Sequence, residues 1–364
     1  MFTIRKILFL FLLPLSLQAK DFAKGFSRHQ INLGLTGFNI KEDSLISRGA
    51  ATSVEGDFLY GVDEGLLLRL SPIASFISGQ QTSRDPLSPL SNSIYLKEAS
   101  FEKQLGFDWS IKAGVLYQKE FLPAISGYTK AFPGIGILAP LKLGEHLLEV
   151  RAQAAIPASS GLASTSTELE SSASIYSASA FIKSNWSNLF TTTLSFSRFG
   201  FSKLSSAAAS ESINRGNTVV SPSVSTKAFV YKYEGNEITF GGDFKGELLV
   251  FNFLTSFIKN DSAPKKLNQG YFFSISPGYV YSSNNILRPL FEHYRVEADA
   301  MVAAYSDTTY GRTNRDGYRY GVALEKEKYR ISFIYADSKL IQKNPFQSVD
   351  KTYFINLNLE NLFY

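Results

Sequence analysis

Little in this chain of 364 residues is equipped for bond-making chemistry: it holds three histidines, His29, His146 and His293, and no cysteine. The lack of thiols removes thiol nucleophiles, thiolate metal sites and disulfides. The histidines are far apart and lack the close spacing of a metal-ligand pair. His29 precedes the first strand-like segment, while His146 and His293 fall in or beside short connections, so none is placed as a general base in a cleft. With 32 Asp and Glu residues, neighbouring carboxylates are expected by chance and mark no site. Gly311 and its neighbours form no phosphate cradle, and Gly241-Gly242 reads as a bulge or close-packing point inside a strand. The formal net charge is +5, and its charges are interspersed rather than gathered in a basic stripe, which argues against nucleic acid as a partner. No cofactor, no metal and no enzymatic activity are expected.

The charges that stand out are those placed within alternating apolar positions. Val54, Gly56, Phe58, Tyr60 and Val62 oppose Glu55 and Asp57; Trp109, Ile111, Ala113, Val115 and Tyr117 oppose Lys112. Val296, Ala298, Ala300, Val302 and Ala304 oppose Arg295, Glu297 and Asp299; Tyr318, Tyr320, Val322 and Leu324 oppose Arg319. Period-2 alternation of this kind gives a strand with one apolar and one polar face. If the apolar face meets lipid, a charge there costs about 2–4 kcal/mol near the bilayer midplane. The charged face then belongs inside a closed barrel. Glu55, Asp57, Lys112, Glu149, Arg151, Arg295, Glu297, Asp299, Arg319 and Arg330 are accordingly candidates to line a water-filled lumen. Two roles stay open for each: biasing which ions pass, or pairing across the inner wall to hold the barrel's shape. The mixed signs argue against strong ion selectivity.

The remaining chain supplies the elements such a barrel requires. Arg5 and Lys6 precede the apolar run Ile7–Leu17, followed by Ala19 and the polar Lys20-Asp21, the order of a secretory signal peptide cleaved after Ala19. Its loss would take the net charge from +5 to +3, since Arg5 and Lys6 go with it. Residues 20–364 show no linker or break and read as one β-barrel domain. No later stretch reaches the eighteen or so apolar residues of a membrane-spanning helix. The 19 Tyr and 30 Phe suit strands and interfacial girdles. Short connections such as Val62–Gly65, Lys142–His146, Ser184–Asn188, Glu234–Asn236 and Glu325–Lys328 alternate with long ones. The long set is Lys41–Ala51, Gly79–Asn92, Phe121–Ala131, Pro157–Ala173, Ser205–Ser221, Lys259–Gly270, Asp307–Asp316 and Ile341–Lys351. That asymmetry predicts a transmembrane antiparallel up-and-down β-barrel of about 16 strands, with 14 to 18 compatible. Glu237–Ile258 is too long for one strand, and Asn284–His293 is long for its side of the barrel. Phe121–Ala131, rich in Phe121, Leu122, Ile125 and Tyr128, is a candidate to fold inward as a constriction; an ordinary packed surface loop is the other reading.

The last strand, Tyr353–Tyr364, places Tyr353, Ile355, Leu357, Leu359 and Phe363 on one face. It resembles the C-terminal closing strand of Gram-negative outer-membrane β-barrels, although Asn361 interrupts the apolar face and Phe363 is better phased than Tyr364. Tyr95-Leu-Lys-Glu-Ala-Ser-Phe101 and Trp109–Gly114 look like a strand pair of many porins, with Ser100 where an aromatic is common. The resemblance implies a passive outer-membrane channel for small hydrophilic solutes and ions, surrounded by outer-membrane lipids. It also implies the barrel assembly machinery as a partner of the C-terminal strand, and a homotrimer. Barrel hydrolases and proteases of the same membrane carry His near the outer rim, where this chain has none by this reading. A structural or adhesive barrel acting through its loops is the alternative, and a secreted soluble β protein the third. The closing strand is expected to pair with the first strand near Ile31–Gly37.

Overall fold

The structure, a computed structural model, describes residues 26–42, 45–63, 65–80, 92–105, 108–127, 131–157, 172–221, 226–282, 285–306, 312–347 and 349–359. The proposed signal segment 1–19 and the terminal residues 360–364, with Asn361, Phe363 and Tyr364, lie outside them.

Alternating sequence becomes strand almost throughout. In chain order the strands are β1 (Phe26–Glu42), β2 (Leu45–Asp63), β3 (Leu66–Gln80), β4 (Ser93–Gln104), β5 (Ser110–Tyr117), β6 (Ala131–Leu143), β7 (His146–Ala155), β8 (Ser174–Asn185) and β9 (Phe190–Ser202). A helix, α1 (Ser206–Ile213), and a small hairpin, β10 (Val219–Val220) with β11 (Ala228–Phe229), follow. The chain returns to the wall with β12 (Glu234–Lys245), β13 (Leu249–Asn260), β14 (Gln269–Ser282), β15 (Asn285–Val296), β16 (Arg315–Lys326), β17 (Tyr329–Leu340) and β18 (Asp350–Leu359). Among the described residues sixteen of these strands close into one antiparallel barrel, each beside its chain neighbour, with β9 beside β12 and β1 beside β18. The seam pairs Leu33 with Leu359, Gly37 with Ile355 and Lys41 with Lys351. The first strand is thus engaged over Leu33–Glu42, further along than Ile31–Gly37.

Burial separates the two faces. On β9, Ser195, Ser197 and Phe199 are buried while Leu194 and Phe196 are exposed; on β17, Ser332 and Ser338 are buried while Ile331 and Phe333 are exposed. The concave face therefore carries small and polar side chains along much of its height, with a buried apolar set (Phe132, Ile175, Phe199, Ile258 and Phe272) at the loop-side ends, and the convex face carries large apolar ones. Closure pairs the backbone groups of each strand with a neighbour on both sides, as the hydrocarbon interior of a bilayer demands. Tight turns on one side use Gly65 (φ +66°) and Gly144 (φ +62°), a region most residues avoid.

Three parts of the sequence-based parse change. Lys41–Ala51 is not a loop: both arms are strand and only residues 43–44 separate β1 from β2. Glu234–Asn236 is not a turn but the start of β12, so Glu237–Ile258 is a hairpin, its strands separated by residues 246–248. Conversely, Asn285–His293 belongs to β15, and the alternating run 297–305 is not strand. The errors offset, which is why the strand number agrees. His29 lies within β1, and His293 sits near the loop-side end of β15 rather than beside a short turn.

The two faces predict opposite tolerance of charge. Phe333→Lys should destabilise the folded barrel in lipid vesicles by about 2–4 kcal/mol, whereas Ser332→Lys, one residue away on the inner face, should cost far less. Urea titration of both variants in vesicles measures the difference.

Candidate functional site

Polar side chains on the inner wall meet one another in register. Lys112 on β5 is buried, with its Nζ 2.6 Å from Glu120, 3.4 Å from Glu98 and 3.6 Å from Glu102. Arg69 on β3 approaches Glu98 at 4.0 Å. Lys97 pairs with Glu55, Ser71 donates to Asp57 at 3.2 Å, and Arg151 pairs with Glu149 at 2.9 Å while lying over the Phe181 ring. Across the barrel, Arg319 meets Glu292 at 2.5 Å, and Glu325 is shared by Arg288 at 3.0 Å and Arg330 at 3.4 Å. Glu55, Asp57, Lys112, Glu149, Arg151, Arg319 and Arg330 thus share the concave face, each with a named polar partner.

Arg295, Glu297 and Asp299 do not join them. The inward residues of β15 are even-numbered, with Glu292, Tyr294 and Val296 buried. Arg295 therefore points outward, 3.2 Å from Asp316. Glu297 lies just past the strand, where its carboxylate accepts the Gln269 N–H at 3.0 Å. Asp299 is inside the barrel, but on a segment that leaves the wall. Reading 295–305 as one strand put Arg295 on the wrong face and gave Glu297 and Asp299 places in the wall, although β15 ends at Val296.

Three segments enter the barrel from the loop side. The first follows β5. After a 3-10 turn at Gln118–Glu120, residues 121–127 run inward, with Phe121, Leu122 and Ile125 buried. Gly136 on β6 makes room, since a Cβ there would collide with the Phe121 ring. Ser179 donates to the Phe121 carbonyl at 2.8 Å. The tip is held by Glu237 on β12, beyond β6, β7, β8 and β9 around the wall. Its carboxylate accepts the Ile125 N–H at 2.6 Å, the Ser126 N–H at 2.8 Å, the Ser126 hydroxyl, and the Ser256 hydroxyl at 2.5 Å. Glu237 is fully buried and all these donors are neutral. Phe121–Ala131 was the sequence's constriction candidate; its described part folds inward.

The second segment, described over 203–221 and 226–233, carries α1, capped by the Ser205 hydroxyl, which accepts the Ala208 N–H at 3.2 Å. The third, 297–306, buries Ala300, Met301, Val302, Ala304 and Tyr305. Asn217 joins the two, donating to the carbonyls of Ala298 and Met301 and accepting the Ala303 N–H at 2.7 Å. Ser212 accepts the Ala304 N–H at 3.1 Å. Asp299 accepts the Thr218 N–H at 2.9 Å, the Thr218 hydroxyl at 2.6 Å and the Tyr233 hydroxyl at 2.8 Å. Tyr305 stacks on Phe201 and meets Phe132 edge-on, tying the segments to the wall. An apolar cluster including Leu122, Ile125, Ala208, Met301 and Tyr305 makes the three segments one body.

Sequence reasoning missed Glu98, Glu102, Glu120, Arg288, Glu292 and Glu325, which complete the ion pairs. Glu98, Ser100 and Glu102 alternate with Ala99 and Phe101, so the period-2 rule already carried that signal. Glu237 was hidden by reading its neighbours as a turn.

No protein-family model matches the chain, and no curated protein matches it by sequence. Solved structures match its fold. OprB of Pseudomonas putida superposes with a TM-score of 0.59 at 10% identity, covering 95% of this chain and 96% of that one. OmpF of Salmonella typhi, in complex with daunomycin, gives 0.53 at 10% identity over 91% and 97%. OmpT of Vibrio cholerae gives 0.51 at 10% identity over 92% and 97%. At this identity the likeness is one of fold, and the fold is that of Gram-negative outer-membrane porins.

Two outcomes follow from the inward segments. Glu237→Ala strands the Ile125 and Ser126 donors, at about 1–3 kcal/mol each; the urea midpoint in detergent should fall while the folded band stays heat-modifiable. Burial lifts the Asp299 carboxyl above the usual carboxylate range, and the bonds from Thr218 and Tyr233 offset this only in part. A carboxyl raised on folding contributes stability below its unfolded pKa and loses it as pH rises through the folded value. The third segment should accordingly be held most firmly in acid and loosen toward neutral pH. Asp299→Asn should flatten that dependence in urea midpoints taken across the range.

Proposed function

We propose that the chain is an outer-membrane channel through which small hydrophilic solutes and ions diffuse down their gradients. The observation that carries this reading is the polarity of the closed barrel: an apolar convex face, and a concave face that shows paired charges and hydroxyls wherever the inward segments do not pack on it. Such a wall wets a lumen and gives solutes polar partners along their path. The inward segments narrow that path on the side of β6–β9 and β12–β15, leaving the charged walls of β2–β5 and β16–β18 to border it.

Those walls differ in sign. Glu98, Glu102 and Glu120 surround Lys112 on and just beyond β4 and β5, whereas on β15–β17 Arg288 and Arg330 share Glu325, Arg319 pairs with Glu292, and Arg315 adds a further cation bonded to Ser338. The two groups stand nearly opposite in the strand order. A small dipolar solute would cross with its positive end toward β4 and β5, and neither anions nor cations gain a strong net advantage.

The signal segment 1–19 accounts for export, and residues 20–364 form the barrel domain under this reading. Outer-membrane lipids surround it, the assembly machinery engages the C-terminal strand, and the porin-like fold supports a homotrimer as its working form.

Planar-bilayer recording tests the proposal. Refolded protein should give discrete conductance steps with a reversal potential near zero in a salt gradient. Deleting residues 121–127 should enlarge the step. Folded, heat-modifiable protein that gives no steps would sink the channel and leave a closed barrel acting through its loops.

A further inference from the structure

The concave wall that the inward segments leave open carries an apolar row within its polar lining. Phe38 on β1, Phe354 on β18 and Ile334 on β17 are opposite one another in register, and Gly49 on β2 and Gly321 on β16 continue the row at its two ends. All five share the inward parity of Ser332 and Arg319, which are buried, while Phe333 and Ile355 beside them are exposed on the lipid side. The glycines let the outer side chains lie down. A Cβ at Gly49 would stand 2.9 Å from the Phe38 ring, and one at Gly321 would stand 3.2 Å from Ile334. The three side chains therefore make a flat shelf, about 10 Å from β1 to β17, rather than three posts standing in the lumen.

Phe38, Phe354 and Ile334 are half-buried, and none belongs to the apolar cluster that packs the three inward segments together. Aromatic side chains on a hydrated wall gain most when a solute covers them. One step toward the turns the same strands carry Thr36, Asn356 and Ser332, and one step further Asn358 and Arg330. Asn356 donates to the Ser332 hydroxyl at 3.3 Å; Asn358 is exposed, with its carbonyl oxygen 3.5 Å from where a Gly34 Cβ would stand. An amide offers donors and acceptors together, so this margin can pair with a solute edge that carries both. The guanidiniums on the β16–β17 flank are already engaged, Arg319 by Glu292 and Arg330 by Glu325 at 3.4 Å. A flat apolar floor with amides at its margin and paired charges beside it suits a neutral planar solute better than an anion.

Resting on the channel reading above, we propose that this shelf is a subsite for neutral heteroaromatic solutes of the nucleoside class. The base stacks on Phe354 and Phe38, its ring nitrogens and exocyclic groups meet Asn356 and Asn358, and the ribose stays in the hydrated path. Every base presents a π-face to an aromatic side chain, so the subsite selects a class rather than one nucleoside. A bound solute narrows the path for as long as it rests on the shelf.

The test is planar-bilayer recording of the full chain, with adenosine as the probe and glucose and benzoate for comparison. Wild-type steps should show brief interruptions whose frequency rises with adenosine and stays at the solute-free level with glucose or benzoate. Removing one stacking ring should raise the half-blocking adenosine concentration about tenfold. Phe354→Leu keeps an apolar side chain at the seam and removes the ring, and Phe38→Leu reads the same loss from the neighbouring strand. Ile355→Ala, on the lipid side next to Phe354, should leave the block unchanged. Equal block by glucose would assign the shelf to sugars, and equal block by benzoate would assign it to anions; either overturns the inference. So does an adenosine block that both leucine variants retain in full. Steps that adenosine never interrupts overturn the subsite alone. Folded protein that gives no steps overturns the channel and the subsite together.

Discussion

Every backbone N–H and C=O placed in hydrocarbon must find a partner, and the rest of this molecule depends on that constraint. An open sheet would leave two edges unsatisfied, so the chain brings β18 back to β1 and pairs Leu33–Glu42 with Asp350–Leu359. Once the ring is closed, each residue is committed to lipid or lumen by its parity alone. A single-residue slip would exchange Phe333 for Ser332 on the lipid side. Closure also forces the chain's excess length to go somewhere other than the wall. The longest described excursions turn inward rather than extend outward.

Those excursions meet the cost of burying backbone by a different route. Segment 121–127 has no ladder of its own, and Glu237 supplies a single acceptor group for its two adjacent N–H groups. Asp299 and Asn217 perform the same service between the second and third segments. A carboxylate has several lone pairs and can gather donors from a turn that no neighbouring carbonyl could reach. The two buried acids thus act as anchor points for irregular chain inside a regular barrel. The apolar contacts of Leu122, Met301 and Tyr305 then fill the remaining volume.

The fold was legible because its rule is local. Val54–Val62, Trp109–Tyr117 and Tyr318–Leu324 alternate in the sequence as they do in the wall, and loop asymmetry supplied the strand number. The failures occur where the same local pattern has another cause. Val296, Ala298, Ala300, Val302 and Ala304 alternate well enough for a strand, yet they are small residues that allow an inward segment to pack against α1. Only contacts remote in sequence, such as Asn217 with Ala303, decide between the two. The inner-wall charges were half legible for a related reason. Lys112 stands alone between apolar residues and is conspicuous, whereas Glu120, its nearest partner, lies beyond the strand in the turn that starts the inward segment.

Depth explains how one rule can forbid charge on the convex face and yet admit Arg295, Lys339, Lys351 and Lys41 there. The cost of a charge at the lipid boundary falls from several kcal/mol at the midplane to about 0–1 near the interface. The Tyr271, Tyr318, Tyr335 and Tyr353 row marks where that transition occurs on this barrel. Below it the convex side chains are Phe, Ile, Leu, Val and Tyr, including Phe273, Phe291, Tyr320, Phe333 and Ile355; above it the charges begin. The seam passes through that boundary with two lysines opposed, at the one junction where strands from opposite ends of the chain must find each other. Backbone pairing and apolar matching, Ile355 with Gly37 and Leu357 with Leu35, hold the register against their repulsion. Closure therefore rests on the ladder rather than on complementary charge, which leaves the surface charge at the rim free to be set by what surrounds the barrel.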